Sequence, residues 1–334
     1  MSGSVKFSVI IANYNSGGYL RKALASLAAQ TFRDFEVIVI DNGSEDGSMD
    51  GIGGSDLPEL ILRPQNENLG FAKGNNIGAE VAKGEWLALL NPDAEAKPDW
   101  LEQIAAGIET YPGTLAFAST QIATDNPAML DGIGDEYLAF GIPWRSGFGA
   151  SVETLTGLRE CFSPCGASAV YHRQTFLDHG GFDERFFCYC EDVDLGFRMQ
   201  LAGQRCIFLP DAVIHHAGSA VSGRDSYFTA YHGNRNRTWT FFKNMPLPLL
   251  ILFLPAHLAI IGYIYWRNRD RFEHTGMKDG LREGFKTALS VRRDKQRRGR
   301  AYPKKAWAFL RAMAWNPFVV RHRGPVKRSI RKKI

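Results

Sequence analysis

Cysteine is scarce and badly spaced for chemistry. The 334-residue chain holds five, an odd number, and neither Cys161-x3-Cys165 nor Cys188-x-Cys190 has the paired C-x2-C spacing of a zinc site. Free thiols in a reducing compartment are the expectation. No Gly-x4-Gly-Lys-Ser/Thr loop is present, which removes ATPase chemistry of that kind. No Gly-x-Gly-x-x-Gly follows the first predicted strand, which weakens a dinucleotide reading. No secretory signal is expected, since MSGSVKFSVIIANYN runs straight into a strand-like segment. Internal repeats are also missing. With 45% apolar and 22% charged residues, the composition excludes disordered, collagen-like and disulfide-scaffold classes. The length fits roughly two domains of about 150 residues.

Charge of one sign is missing from each part of the chain in turn. Residues 267–334 hold 22 Lys/Arg against 5 Asp/Glu, a surplus of +17, which leaves 18 against 30, or −12, for residues 1–266. An acidic body therefore carries a basic tail. Just before the tail, Leu247 to Trp266 (LPLLILFLPAHLAIIGYIYW) has no formal charge and is long enough to cross a bilayer. Pro248, Pro255 and His257 make an embedded or re-entrant hairpin an equal alternative. In Lys304 to Asn316 (KKAWAFLRAMAWN), Trp307, Leu310 and Ala314 follow helical spacing between basic residues, as in a helix lying on an anionic leaflet. A basic surface helix packed on the body is the plainer account. No base-reading module accompanies the charge, so nucleic acid is not an expected partner.

The first 120 residues alternate regularly. Lys6 to Ala12 (KFSVIIA) predicts a buried strand ending in a polar turn, and Leu20, Leu24 and Leu27 mark the helix after it. Phe35 to Ile40 predicts a second strand stopping at Asp41-Asn42-Gly43-Ser44, which completes a βαβ unit with parallel pairing. Leu60 to Arg63 reads as a third strand, Asn68 to Asn76 opens a helix, and Trp86 to Leu90 is a fourth strand. A helix over Pro98 to Tyr111 and a strand over Leu115 to Ser119 follow. Residues 120–160 read as an irregular, Gly-rich lid or acceptor loop. The dense polar turns fall at carboxyl ends of strands, where open α/β sheets bind ligands, so Asn13, Asp41 and Asp93 are expected to face one crevice.

Three further clusters carry possible chemistry. Asn91-Pro92-Asp93 is a strand-end turn whose oxygen ligands suit a divalent cation gripping a diphosphate, although such turns also cap helices. Glu191, Asp192 and Asp194 precede an apolar helical run. Capping is the ordinary account of such acids, but one facing a pocket mouth can take a proton from a hydroxyl. His215-His216 follows an apolar stretch, and an imidazole beside a carboxylate is an acceptable Mn²⁺ ligand. In His232-Gly233-Asn234-Arg235-Asn236-Arg237, the guanidinium groups suit phosphate.

Together, VIIANYN, FEVIVIDNGSEDGS, NENLGFAKGNNIG, WLALLNPDAE, CGASAVYHRQTF, GGFDERFFCYCEDVDLGFRMQ and HHAGSAVSG resemble the family 2 glycosyltransferases, especially the bacterial rhamnosyltransferase-like branch. The likeness spans about residues 5–245. It implies an α/β, GT-A-type fold: a mostly parallel, Rossmann-like sheet with helices on both faces, as residues 1–245. Residues 246–334 would be a helical, membrane-associating extension. It also implies an inverting transfer of a sugar, rhamnose for example, from a dTDP- or UDP-linked donor to a glycan or polyprenyl-diphosphate-linked acceptor in surface polysaccharide synthesis. The setting would be the cytoplasmic face of the inner or plasma membrane.

By the same likeness, Asp41 and Asn13 lie at the nucleotide base, and Asp93 with Asn91 matches the family's Asp-x-Asp, the first acid being replaced here. Mg²⁺ or Mn²⁺ would sit on Asp93 and His216, with His215 as the alternative ligand. Arg235 would assist at the diphosphate, Gly166, Ala167 and Glu191 would lie on the acceptor side, and Asp192 would be the base. Two other classes stay open: a catalytically silent nucleotide-sugar or glycan-binding scaffold, and a sugar-nucleotidyltransferase, for which Ile11 to Gly18 offers no basic loop.

Overall fold

The Val- and Ile-rich runs near the start have no polar alternation, so both of their faces must be covered. In the computed structural model, which describes residues 5–53, 56–155, 157–218, 223, 226–271, 274–294, 308–326 and 328, they form the parallel strands β1 (Phe7–Asn13) and β2 (Phe35–Asp41). These pair in register from Phe7 with Phe35 to Asn13 with Asp41. The connecting α1 (Tyr19–Ala28) buries Leu20, Leu24 and Leu27. Beyond β2 lies β3 (Leu60–Pro64). After α2 (Gly70–Val81), β4 (Trp86–Leu89) joins β1 on its other side, again parallel.

The short β5 (Ala94–Ala96), α3 (Trp100–Thr110) and β6 (Ala116–Ala123) follow. Residues 120–160, expected to be an irregular lid, are instead built from short strands: β7 (Leu130–Gly132), the hairpin β8 (Asp135–Leu138) and β9 (Ile142–Arg145), and β10 (Arg159–Cys161). Every residue of β8 is buried. Glycines at 134, 141, 147 and 149 with positive φ turn the chain between these strands, which is why the sequence reads as loop.

Next come β11 (Val170–His172), α4 (Arg173–Asp178), α5 (Glu191–Leu201) and β12 (Cys206–His216). The main sheet runs β10-β12-β6-β11-β4-β1-β2-β3. β11 lies antiparallel to both β4 and β6, while β12 is parallel to β6. One apolar layer, with α1 and α3, covers one face and a second, with α2, α4 and α5, covers the other. The carboxyl ends of β1, β2, β4 and β12 therefore share one edge of the sheet.

Four helices complete the described chain. α6 (Tyr227–Asn244) leads into α7 (Leu247–Arg267), a single helix through Pro255. α8 (His274–Arg293) places Gly276, Gly280 and Gly284 against the α6 backbone, and α9 (Phe318–His322) is short. α7 is long and apolar enough to cross a membrane. It packs Leu249, Phe253, His257 and Ile261 against the body at helical spacing, and His257 stacks on Phe241 at 4.1 Å. Its other side, with Leu247, Ile251, Leu252, Leu258, Tyr263 and Trp266, is exposed.

The expected surface helix at 304–316 takes another form. Lys304, Lys305 and Trp307 lie outside the described residues, while 308–312 form a 3₁₀ turn. Phe309 and Met313 are inserted beside Tyr137, Phe162 and Phe197, and Ala314 pairs with Tyr137 and Ala139. Entering the body removes these apolar side chains from water.

Candidate active site

At the sheet edge, Asn13 and Asp41 face each other as a consequence of register. The fully buried Asn13 Nδ2 donates to Asp41 Oδ1 at 3.0 Å and to the hydroxyls of Ser44 and Ser48. Ser44 in turn donates to Asp41 Oδ1 at 2.6 Å. The pair braces the turn after β2, and the adjoining cavity wall is formed by Ala12, Tyr14 and Asn42.

That cavity, about 420 Å³, is also lined by Asn91, Asp93 and His216. His216 is brought there by β12, whose register shifts between Leu209 and Val213. Beyond the shift Ala212, Ile214 and His216 point inward, so His215 is turned to the other face, and His216 is the histidine that lines the cavity. His216 Nδ1 donates to Asp131 Oδ2 at 2.7 Å, and its Nε2 lies 3.2 Å from Asp93 Oδ1 and 3.2 Å from Asn91 Nδ2. Asp131 also receives Arg145 Nη1 at 2.6 Å. Burial pulls the His216 imidazole down, but its hydrogen bonds with Asp131 and Asp93 outweigh this and raise it above its ordinary value.

These residues fit a divalent cation. Asp131 fixes the Nδ1 proton, which leaves Nε2 to face Asp93. Asn91 Oδ1 is buried without a hydrogen-bond partner among the described residues, an orphan that a cation would satisfy. Carboxylate, imidazole and amide oxygen are a donor set suited to Mn²⁺ or Mg²⁺. Asp131 and Arg145 escaped the sequence reading because both lie in the stretch read as loop.

Phe71, Asn91, Arg145, Cys188 and Tyr189 also line a second cavity of about 540 Å³, which contains Gly166, Ala167, Glu191 and Asp192. Asp93 and Asp192 thus border one continuous cleft. Asp192 Oδ2 accepts the Gly166 N–H at 2.7 Å, and Oδ1 accepts that of Val193 at 2.7 Å. A Cβ at position 166 would approach the Phe71 ring to 3.1 Å and Asp192 Oδ2 to 3.3 Å, so a side chain would crowd the carboxylate. Ala167 supplies its carbonyl to the Asn91 N–H at 3.0 Å. Burial raises the Asp192 carboxyl, and the two N–H groups and Arg145 only partly offset it. Glu191 and Asp135 are raised further, by burial and then by the Asp192 charge. Asp135, Cys165 and Asp192 offer ligand atoms within 4.8 Å of one another.

A strained turn delivers these acids. Phe187, Tyr189 and Cys190 all have positive φ, at 64°, 72° and 64°, a region disfavoured for L side chains. Phe187 also has ψ −63° with Cys188 N–H on Phe186 O at 2.7 Å, a tight γ-turn. The buried Asn236 Nδ2 contacts the carbonyls of Phe186, Cys188 and Tyr189 at 2.8–2.9 Å. Gly70 permits the opposing contact, since a Cβ there would meet Phe187 O at 2.7 Å.

Arg235 belongs to this clamp and not to the cleft. It donates to the carbonyls of Arg185 and Phe186 and stacks over Trp239 at 4.3 Å. The expectation of a phosphate contact is corrected accordingly, and the guanidinium from α6 that lines the cleft is Arg237. Asn236→Ala is expected to lose about 2–3 kcal/mol of stability, because buried carbonyls lose their donor. Urea unfolding would read this loss, and turnover should fall more than nucleotide affinity.

A mostly parallel sheet whose polar edge opens into this divided cleft is the GT-A-like architecture of nucleotide-sugar transferases. Residues 8–178, just over half of the chain, match the glycosyl transferase family 2 model, and the chain belongs to that family: it is a glycosyltransferase. It is 27% identical over 252 residues to the N-acetylglucosaminyl-diphospho-decaprenol L-rhamnosyltransferase of Mycobacterium tuberculosis, covering 67% of this chain and 80% of the relative. Among solved structures, the Pyrobaculum calidifontis mannosyltransferase PcManGT, in complex with GDP-Man and Mn²⁺, has a TM-score of 0.55 at 19% identity, with 86% and 88% of the two chains covered. GalNAc-T7 with UDP, GalNAc and Mn²⁺ has a TM-score of 0.57 at 16% identity and is matched over 73% of this chain. The chain spans about half, 48%, of that protein's length.

Proposed function

We propose that the chain transfers a sugar from a nucleotide-diphosphate donor to a hydroxyl of a glycan or lipid-linked acceptor, with inversion at the anomeric carbon. The observation that carries this reading is Asp192, held by two backbone N–H groups at the wall of a cavity that opens into the Asp93–His216 cavity. The acceptor oxygen forms a bond to the anomeric carbon as the bond to the donor phosphate breaks. The acceptor proton passes to Asp192, and the nucleoside diphosphate leaves with the bonding pair. Asp93, His216 and Asn91 would hold Mg²⁺ or Mn²⁺, which supplies charge for the leaving diphosphate. Asp41 and Asn13 brace the turn beside the nucleotide, while Gly166, Ala167 and Glu191 shape the acceptor side.

Rhamnose on dTDP or UDP is the first donor to test, because the mycobacterial relative is named for rhamnosyl transfer. Residues 246–334 are assigned as a membrane-associating extension of a catalytic body at 1–245. The support is the exposed apolar face of α7 and the basic surplus after it. An in-plane attachment at the cytoplasmic leaflet suits a helix whose other face is packed on the body.

A panel of nucleotide sugars, each with and without Mn²⁺, tests the reading by thermal stabilisation. A ligand at a hundred times its Kd adds about 2.7 kcal/mol. One donor should stabilise the chain, and only with the cation present. In Asp131→Asn the Mn²⁺ concentration needed should rise about 10- to 100-fold, because the imidazole loses its orienting partner. No stabilisation by any nucleotide sugar would remove the reading.

A further inference from the structure

The acceptor cavity does not end at Asp192. Its far wall carries Arg237, Arg323 and Ile264, and all three also line a further hollow of about 410 Å³. Ile264 belongs to α7, next to the exposed Tyr263 and two residues before the exposed Trp266. A continuous path therefore leads from the base, past two guanidinium groups, to the helix with the bare apolar face.

Arg237 is the informative residue. Its Nε is sealed from solvent without a hydrogen-bond partner among the described residues, and its Nη2 donates to Asn234 Oδ1. Burial works against its charge. The fully buried cations have acids: Arg159 has Glu136, Arg198 has Asp194, and Lys243 has Asp183 and Asp194, whereas Arg237 is half-buried and Arg323 exposed. Arg237 and Arg323 pair with no carboxylate among the described residues. Arg323 lies over the Phe148 ring at 4.6 Å. The sealed, unpaired edge of Arg237 is costly unless a ligand brings an anion to it, Arg323 adds a second, solvent-facing charge to the same wall, and a guanidinium fork suits phosphate oxygens.

We propose that Arg237 and Arg323 form a subsite for the phosphate groups of a prenyl-diphosphate-linked acceptor, with its sugar hydroxyl at Asp192 and its chain passing Ile264 onto the exposed face of α7. This rests on the glycosyl-transfer reading and assigns the side chains that would hold the acceptor's phosphates. The apolar exit favours a lipid over free phosphate as the source of the anion.

The test uses the full chain in detergent micelles with EDTA present, titrated with farnesyl diphosphate, farnesol and inorganic pyrophosphate. Farnesyl diphosphate should bind more tightly than either of the others. Arg237→Gln and Arg323→Gln should each weaken it about tenfold or more while leaving farnesol unchanged, and Arg237→Lys should weaken it less. Arg21→Gln, on the remote α1 surface, should change nothing.

Unchanged farnesyl diphosphate binding in both glutamine variants would overturn the subsite. Equal losses for farnesol and its diphosphate would also overturn it, by assigning the effect to the apolar path. Pyrophosphate binding as tightly as the lipid, with the same arginine dependence, would overturn the lipid assignment. Nucleotide-sugar stabilisation of the same variants separates the two claims. If it stays intact while the arginines prove irrelevant, glycosyl transfer stands without this subsite, and if the wild type binds no nucleotide sugar, both fall.

Discussion

Asp192→Asn is expected to lower transfer by about 10²- to 10⁴-fold or more, which is up to about 5.5 kcal/mol of barrier at the upper figure. Asparagine preserves the size of the side chain, and its oxygen can still accept one of the N–H groups of Gly166 and Val193. It cannot take a proton. Nucleotide-sugar stabilisation with Mn²⁺ should persist in the variant, because Asp93, Asn91 and His216 are untouched. Equal background-level product release by wild type and variant would favour the silent scaffold.

The same carboxylate predicts a pH profile. Its pKa is raised, so protonation disables the base at a higher pH than an ordinary aspartate would require. The acid limb of kcat/KM in the wild type should therefore fall off above the usual carboxylate range near about 3.9.

Asp194→Ala should cause the largest loss of stability. Asp194 Oδ2 receives Lys243 Nζ at 2.8 Å and Arg198 Nε at 3.0 Å, and Oδ1 receives Asn244 Nδ2 at 2.7 Å. Lys243, Arg198 and Asp194 are all buried. Removing one partner of a buried ion pair leaves charge uncompensated, which costs about 3–5 kcal/mol. A fall in Tm on the order of 10 °C is expected, against less than about 0.5 kcal/mol for the exposed Asp211→Ala.

Asp183, the other acid on Lys243, is pushed up by burial but pulled well below the usual range by Arg185 and Lys243. Its contribution is complete above the unfolded pKa of about 3.9 and is lost only as pH falls toward the depressed folded value. Melting curves from pH 7 to 3 should therefore show little loss from this pair until the acid end.

The first strands and their polar ends were legible because both depend on local pattern. Apolar runs without alternation became β1, β2 and β4, and Asp93 and Asp192 lie at turns visible in the sequence. What stayed hidden depends on contacts between distant segments. Asp131 and Arg145 sit on three- and four-residue strands among glycines, too short for periodicity to register. His215 and His216 are told apart only by the register shift between Leu209 and Val213, which a count along the strand does not supply. Arg235 and Arg237 are two residues apart, about 200° around a helix, so one clamps a turn while the other lines the cleft. In 308–314 the apolar spacing was present, but the partner was the body.

The stereochemistry of the product tests the central claim most directly. Proton NMR of freshly formed product, with the identified donor and acceptor, reports the configuration at the transferred anomeric carbon. A single displacement assisted by Asp192 predicts a configuration opposite to that of the donor from the first turnover. A product of retained configuration would contradict it.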